Sequence, residues 1–227
     1  MQRRRLLSFP LGLWALGAAG RVSAAPGNDA EAASGLRAAR ERGAVAAVGL
    51  LGQPDGFLGN PKVRIPLPSF LKDAAKLAKL TGQQKRVDEL VTAMNRAAEA
   101  AVPEAKALLV SAVKSMNVGD ARRLVAGGAD SVTKFFADKT RVPLGERFLP
   151  IVKRETERVD LAERYNAVAG KVANLGLVKG DDANIERYVT RKALDGLYFM
   201  IGEEEKKIRN DPIGTGSALI ARVFGKS

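Results

Sequence analysis

Between residues 85 and 101 the apolar positions Val87, Leu90, Val91, Met94, Ala97, Ala98 and Ala101 recur at intervals of three and four. A strand cannot gather that spacing on one face, so it predicts an amphipathic helix. Helical patterning extends along most of the chain. One helix is expected over 36–51, ending near Gly52, and another from an N-cap at Ser69 to Leu80, closed by Gly82. Pro103 opens the next, with Leu108, Leu109, Ala112, Val113 and Met116 inward. Shorter helices are expected at 119–126 and 130–139, bounded by Gly127-Gly128 and Pro143, then a longer one over 146–174 bent at Pro150. After a loop over 176–182, a last long helix covers 184–210 and stops before Pro212, and a short one holds 219–224. Residues 52–68 differ, because Gly52, Pro54, Gly56, Gly59, Pro61, Pro66 and Pro68 exclude a helix. Within them Val63, Ile65 and Leu67 alternate with Arg64 and Pro66, which fits a short extended segment. The expected fold is all-α: one domain of about eight helices with a single Gly/Pro-rich extended segment near residues 52–68. Aromatic residues make up 5% of the chain, too few for a β-sandwich.

The N-terminus reads as an address. Arg3, Arg4 and Arg5 precede an apolar run over 6–20, and Val22-Ser23-Ala24 has the small-residue pattern of a signal-peptidase site. Pro10, Gly12 and Gly17 interrupt the run, which is too short for a comfortable transmembrane helix. The expectation is a signal peptide over 1–24 cleaved near Ala24, a flexible leader over 25–34, and one helical domain over 35–227, exported to the periplasm. The arginines followed by Leu6-Leu7 also loosely resemble the twin-arginine export signal, so either route is open. The net charge of +12 falls by four when Arg3, Arg4, Arg5 and Arg21 leave, and the remaining basic residues are evenly spread.

With no cysteine and no histidine, the chain has no disulfide, thiolate nucleophile, Ser-His-Asp triad or conventional zinc site. Catalysis would rest on carboxylates, Lys, Tyr, Ser/Thr or an oxygen-ligated metal, and no cofactor motif is present. Asp88, Thr92, Asn95 and Glu99 fall on one line beside the apolar stripe of their helix, as ligand hydrogen-bonders or as core-boundary residues. Glu205 projects into the apolar arc of Leu194, Leu197, Tyr198, Ile201 and Ile208, where a carboxylate needs a partner or a proton. Arg209 is its local candidate, with Tyr188 or Thr190 near it. Glu203 points away and pairs with Lys207 on the solvent face. Asp181, Asp182, Asn184 and Glu186 lack calcium-loop spacing and are explained by capping at a helix start, so no metal site is expected. Asp55 and Asn60 in the Gly-rich loop read as turn chemistry. Lys72, Lys76 and Lys79 share one helix face, either solvated or in weak contact with an anionic membrane. No basic platform interleaved with aromatics suggests nucleic acid.

Several runs carry a family resemblance: Asp55-Gly56-Phe57 with Asn60 and Ile65-Pro66-Leu67-Pro68; Met94-Asn95-Arg96-Ala97-Ala98-Glu99; Asp120-Ala121 with Gly127-Gly128 and Asp130. Tyr188-Val189-Thr190, Ala193-Leu194-Asp195-Gly196-Leu197, and Glu204-Glu205 with Ile208-Arg209 continue it. In this order the chain resembles the bacterial exported proteins grouped as domain of unknown function 4197, over residues 34–226. The resemblance implies an exported helical domain from a bacterium with an outer membrane, and no activity, substrate or catalytic residue. On the residues themselves, the leading expectation is a non-enzymatic binding or envelope-associated module for an apolar or amphipathic ligand or a protein partner. The alternatives are a carboxylate-based envelope enzyme, such as a glycan-cleaving hydrolase with Glu99 and Glu205 as its acids, and a structural homo-oligomer.

Overall fold

The computed structural model describes residues 26–72, 75–76, 80–117, 119–120, 123–124, 127, 131–157, 165–166 and 183–211. Helix α1 spans Pro26–Leu51, α2 Gln84–Ala101, α3 Ala105–Lys114, α4 Ser131–Thr156 and α5 Ile185–Asn210. Two single 3₁₀ turns, Ser69–Leu71 and Val102–Glu104, complete the assigned elements, and no strand occurs among the described residues. The all-helical fold agrees with the sequence pattern. The count of about eight helices is not confirmed, and the expected helix over 219–224 lies outside the described residues, as does the proposed signal peptide.

α1 begins at Pro26, well before the expected 36, so the stretch read as a flexible leader is helical from that residue. The reason is local: proline suits the first helical position, and the Ala/Glu-rich residues behind it have high helix propensity. α2 matches its expected bounds, and Leu90, Met94, Ala97, Ala98 and Ala101 are buried as its periodicity required. At Ser69 the expected N-cap is corrected: Pro68 holds that place and no side chain caps the turn. Residues 72, 75, 76 and 80 are helical, and Gly82 takes φ +75°, the left-handed conformation that closes such a segment.

The largest correction is α4. Expected as two helices divided at Pro143, the segment is one helix that contains both Pro143 and Pro150. Its buried residues are Val132, Phe136, Thr140, Leu144, Phe148, Val152 and Thr156, one every four positions. Each step advances about 40° around the helix, so the stripe winds instead of marking one face. α4 therefore meets α5 most extensively, then α2, then α3. The prolines fall off that stripe. Lys139 and Glu146, whose carbonyls lose the amide of the residue four positions on, are exposed, so water can satisfy them.

α5 packs against α1, α2 and α4, and its N-cap Asn184 accepts from the Arg187 amide at 2.9 Å, as its position at the helix start led one to expect. α4 and α5 run antiparallel. Thr133 donates to the Tyr198 carbonyl at 3.4 Å, while Arg141, two turns on, reaches back to Asp195 at 2.9 Å. Thr140 donates to the Phe136 carbonyl at 2.6 Å, which leaves the buried Tyr198 hydroxyl to donate to Thr140 at 2.9 Å. Burial pushes the Tyr198 hydroxyl pKa up, partly offset by the Thr140 bond and the Arg141 charge.

Candidate functional site

The polar line on α2 divides into two halves. Asp88 is exposed and accepts from Gln84 at 2.7 Å, and Thr92 is exposed. Asn95 and Glu99 are buried and hold the 52–68 segment against the helix. Asn95 Oδ1 accepts from the Ile65 amide at 2.8 Å, and its Nδ2 donates to the Ile65 carbonyl at 3.0 Å. Glu99 Oε1 accepts from two consecutive amides, Phe57 and Leu58, each at 3.0 Å. Its Oε2 accepts from Arg96 at 2.6 Å, and Arg96 also donates to Asp55 at 2.8 Å. The Glu99 bond, followed by Asp55, raises the already high Arg96 pKa against the opposing effect of desolvation.

These bonds satisfy backbone that cannot pair in a helix or sheet. Asp55 sits at φ +66°, and a Cβ on Gly56 would lie 2.5 Å from the Leu51 carbonyl oxygen, so the turn requires glycine there. Asn60 Oδ1 accepts from the Lys62 amide at 3.1 Å, the expected turn chemistry. The alternation holds over 63–66, where Val63 and Ile65 are buried and Arg64 and Pro66 exposed, and it fades at Leu67, which is half-buried beside the buried Pro68. Phe57 lies over α5, where a Cβ on Gly196 would be 2.8 Å from its ring, and the Tyr188 hydroxyl donates to the Pro66 carbonyl at 2.9 Å.

Glu205 is buried, as its place in the apolar arc required, and its partner is Arg40 of α1 at 3.1 Å. Arg40 is fully enclosed and also donates to the Leu36 carbonyl at 3.3 Å. Arg209 was the expected partner; its side chain lies outside the described residues. Tyr188 and Thr190 stand at the other end of α5, fifteen or more residues from Glu205 and so more than about 20 Å along the helix, and do not join it. Glu203 does not pair with Lys207 as expected. It accepts from Lys206 and from Lys62, both at 2.8 Å, while Lys207 binds Glu204 at 2.6 Å. The two lysines lower the Glu203 pKa from 4.5 to about 2.

Glu99 and Glu205 are not brought together. Glu99 engages the loop over Gly196, and Glu205 sits nine residues further along α5, about 14 Å of helix. A glycoside-cleaving pair needs carboxyl groups about 5–9.5 Å apart across an open cleft, and each of these two acids is buried and bound to an arginine.

The structure instead presents a groove of about 510 Å³ between α4 and α5. Val142 and Leu149, 74% and 36% exposed, line it from α4 beside Gly145, and buried Leu194 lines it from α5. A Cβ on Gly145 would meet nothing within 4 Å, so the helix is set back from its neighbour there. Arg141 and Glu146 of α4 and Arg187 and Arg191 of α5 border this apolar lining. Arg141 lies over the Tyr198 ring at 5.1 Å and Arg191 over the Tyr188 ring at 5.4 Å. Thr190, 7% exposed, lies between the two α5 arginines, and its Oγ1 is a buried atom with no hydrogen-bond partner among the described residues. Among the described residues, Thr190 is the one expected site residue that lines this groove. Its signal was readable, since Arg187, Thr190, Arg191 and Leu194 share one face of the last helix.

A second groove, of about 590 Å³, runs between α1 and α5 and is lined by Val45, Ala46 and Ile208 beside Glu41, Arg42 and Glu204. Lys72 and Lys76 are exposed, and Lys79 lies outside the described residues, as do Asp181 and Asp182. Glu186 accepts from Asn166 at 3.1 Å. Among the described residues no group of three acidic side chains is placed to hold a metal ion, and no helix is long and apolar enough to cross a membrane. No curated protein and no solved structure matches the chain. A family model described as a protein of unknown function, DUF4197, matches residues 27–225; with nearly its whole length covered, the chain belongs to that family.

Proposed function

We propose that this protein is an exported, non-enzymatic binding module of the bacterial envelope, and that its ligand is apolar or amphipathic and lies in the groove between α4 and α5. The observation that carries this reading is the exposed apolar pair Val142 and Leu149, set beside arginines in the groove between α4 and α5. Such a lining, with a few polar groups converging on it, suits a small molecule better than bulk water. Export rests on the basic, apolar and small-residue pattern of residues 1–24. The test is to express the full chain in a bacterium with two membranes, isolate it from the periplasmic fraction and record its native mass. The expected result is a chain starting near Ala25 with excess mass that leaves on denaturation and is lipid-like. A full-length chain in the cytoplasm would overturn export, and an apo protein that binds no added amphiphile would overturn the binding reading.

A further inference from the structure

We infer that the outer face of α1, with the groove between α1 and α5 beside it, is a self-association surface whose occupant is the same face of a second copy of this chain, laid antiparallel across it. This goes beyond the ligand reading above and does not depend on it. Ser34, Ala38, Glu41, Arg42, Val45 and Gly49 are exposed or half-buried and recur at the spacing that puts them on one face of α1. The groove beside them, of about 590 Å³, is apolar at Val45 and Ile208. Its charged groups differ in what holds them. Glu204 is bound to Lys207 at 2.6 Å, and Arg37, one turn before Glu41, donates to the Met116 carbonyl at 3.0 Å. The side chains of Glu41 and Arg42 have no ion pair or hydrogen bond among the described residues.

The order of these residues identifies the occupant. Turned end for end about the point between Glu41 and Arg42, the face meets itself: Glu41 opposes Arg42, Ala38 opposes Val45, and Ser34 opposes Gly49. Each contact is then made twice, as a two-fold interface requires. Acid meets base, and the larger apolar side chain meets the smaller. At the ends Ser34 and Gly49 are exposed, and a Cβ on Gly49 would meet nothing within 4 Å, so two helices can approach closely there. A parallel pairing in register would stack Glu41 on Glu41 and Arg42 on Arg42, and like charge opposes it. One helix face about 24 Å long buries less surface than a permanent dimer does, so the association is reversible and set by concentration.

The experiment is sedimentation equilibrium of the purified protein from about 5 to about 500 μM, at low and at high salt. A monomer–dimer equilibrium is expected, weaker at high salt. Glu41→Arg and Arg42→Glu are each expected to weaken self-association at least about tenfold, because each sets two like-charge contacts in place of two ion pairs. Thermal melting by circular dichroism is expected to show both variants folded, since neither side chain has a partner within its own chain. Mixed in equal amounts, the two variants are expected to associate with each other, every charged contact between them being acid to base again. The chain carrying both Glu41→Arg and Arg42→Glu is expected to self-associate as the parent does, a rescue that loss of folding could not give. Val45→Glu is expected to remove association. A parent that stays monomeric over the whole range would overturn the inference, and so would a dimer whose strength the charge variants leave unchanged. Single variants that dissociate but neither pair with each other nor recover in the double variant would overturn the reciprocal pairing, and the inference with it.

Discussion

Glu99 on α2 and Glu205 on α5 are both 4% exposed, both lie beside an apolar stripe, and both bind an arginine, yet they stabilise different things. Glu99 binds two backbone amides and a half-exposed arginine, so it fixes the path of a segment that has no secondary structure of its own. Glu205 binds the enclosed side chain of Arg40, so it joins the first described helix to the last. A partner that is a side chain can be mutated away, whereas a partner that is backbone cannot. The two acids should therefore respond oppositely to compensating substitutions.

The largest effect is expected at the helix pair. Arg40→Met or Glu205→Leu alone breaks the enclosed pair and should cost about 3–5 kcal/mol in chemical denaturation. The double variant should return to within about 1 kcal/mol of the parent. A double variant as unstable as the two singles summed would contradict the pairing. Glu99→Leu should cost about 2–4 kcal/mol by orphaning the Phe57 and Leu58 amides, and adding Arg96→Met should recover nothing. Recovery there would mean that the arginine, not the loop, is what Glu99 serves. Gly196→Ala should cost about 1–3 kcal/mol by pressing a methyl group into the Phe57 ring, and Phe57→Leu should relieve part of it.

The smallest effect is a pH response. Glu203 is held down to about 2 by Lys206 and Lys62. A carboxylate whose folded pKa lies below its unfolded one contributes stability above about 4.5, and the contribution disappears as pH falls toward about 2. Titration by carbonyl NMR should place the Glu203 midpoint well under that of an ordinary glutamate, and Lys62→Met should move it upward. A midpoint indifferent to Lys62 would detach the loop from α5 at this point.

The sequence pattern told most where one face carries the core, as in α2 and α5, because a regular apolar face needs no knowledge of its neighbours. It failed in α4, where an apolar or small residue every four positions winds around the helix and Pro143 imitates a terminus. Asn95, Glu99 and Glu205 stood out as polar groups at core positions. Their partners did not, since Ile65, Phe57 and Arg40 lie 30, 42 and 165 residues away. Arg40 carried the same signal as Glu205, interrupting the stripe of Ala33, Leu36, Ala44 and Ala47, and the two anomalies answer each other. The groove was hidden for another reason: it needs Arg141 and Leu149 on one helix, and the apparent break at Pro143 separated them.

The 165 residues between Arg40 and Glu205 also set an order of events. α5 packs against α1, α2 and α4, and it follows all of them in the chain. A polypeptide delivered amino end first from a ribosome presents α1, α2 and α4 long before the helix they close upon. Until residue 205 emerges, the bond from Arg40 to Glu205 cannot form, and burying the guanidinium without that carboxylate is opposed by the cost of removing its charge from water. The bond between the first and last described helices is thus the latest of these contacts to become available as the chain is made.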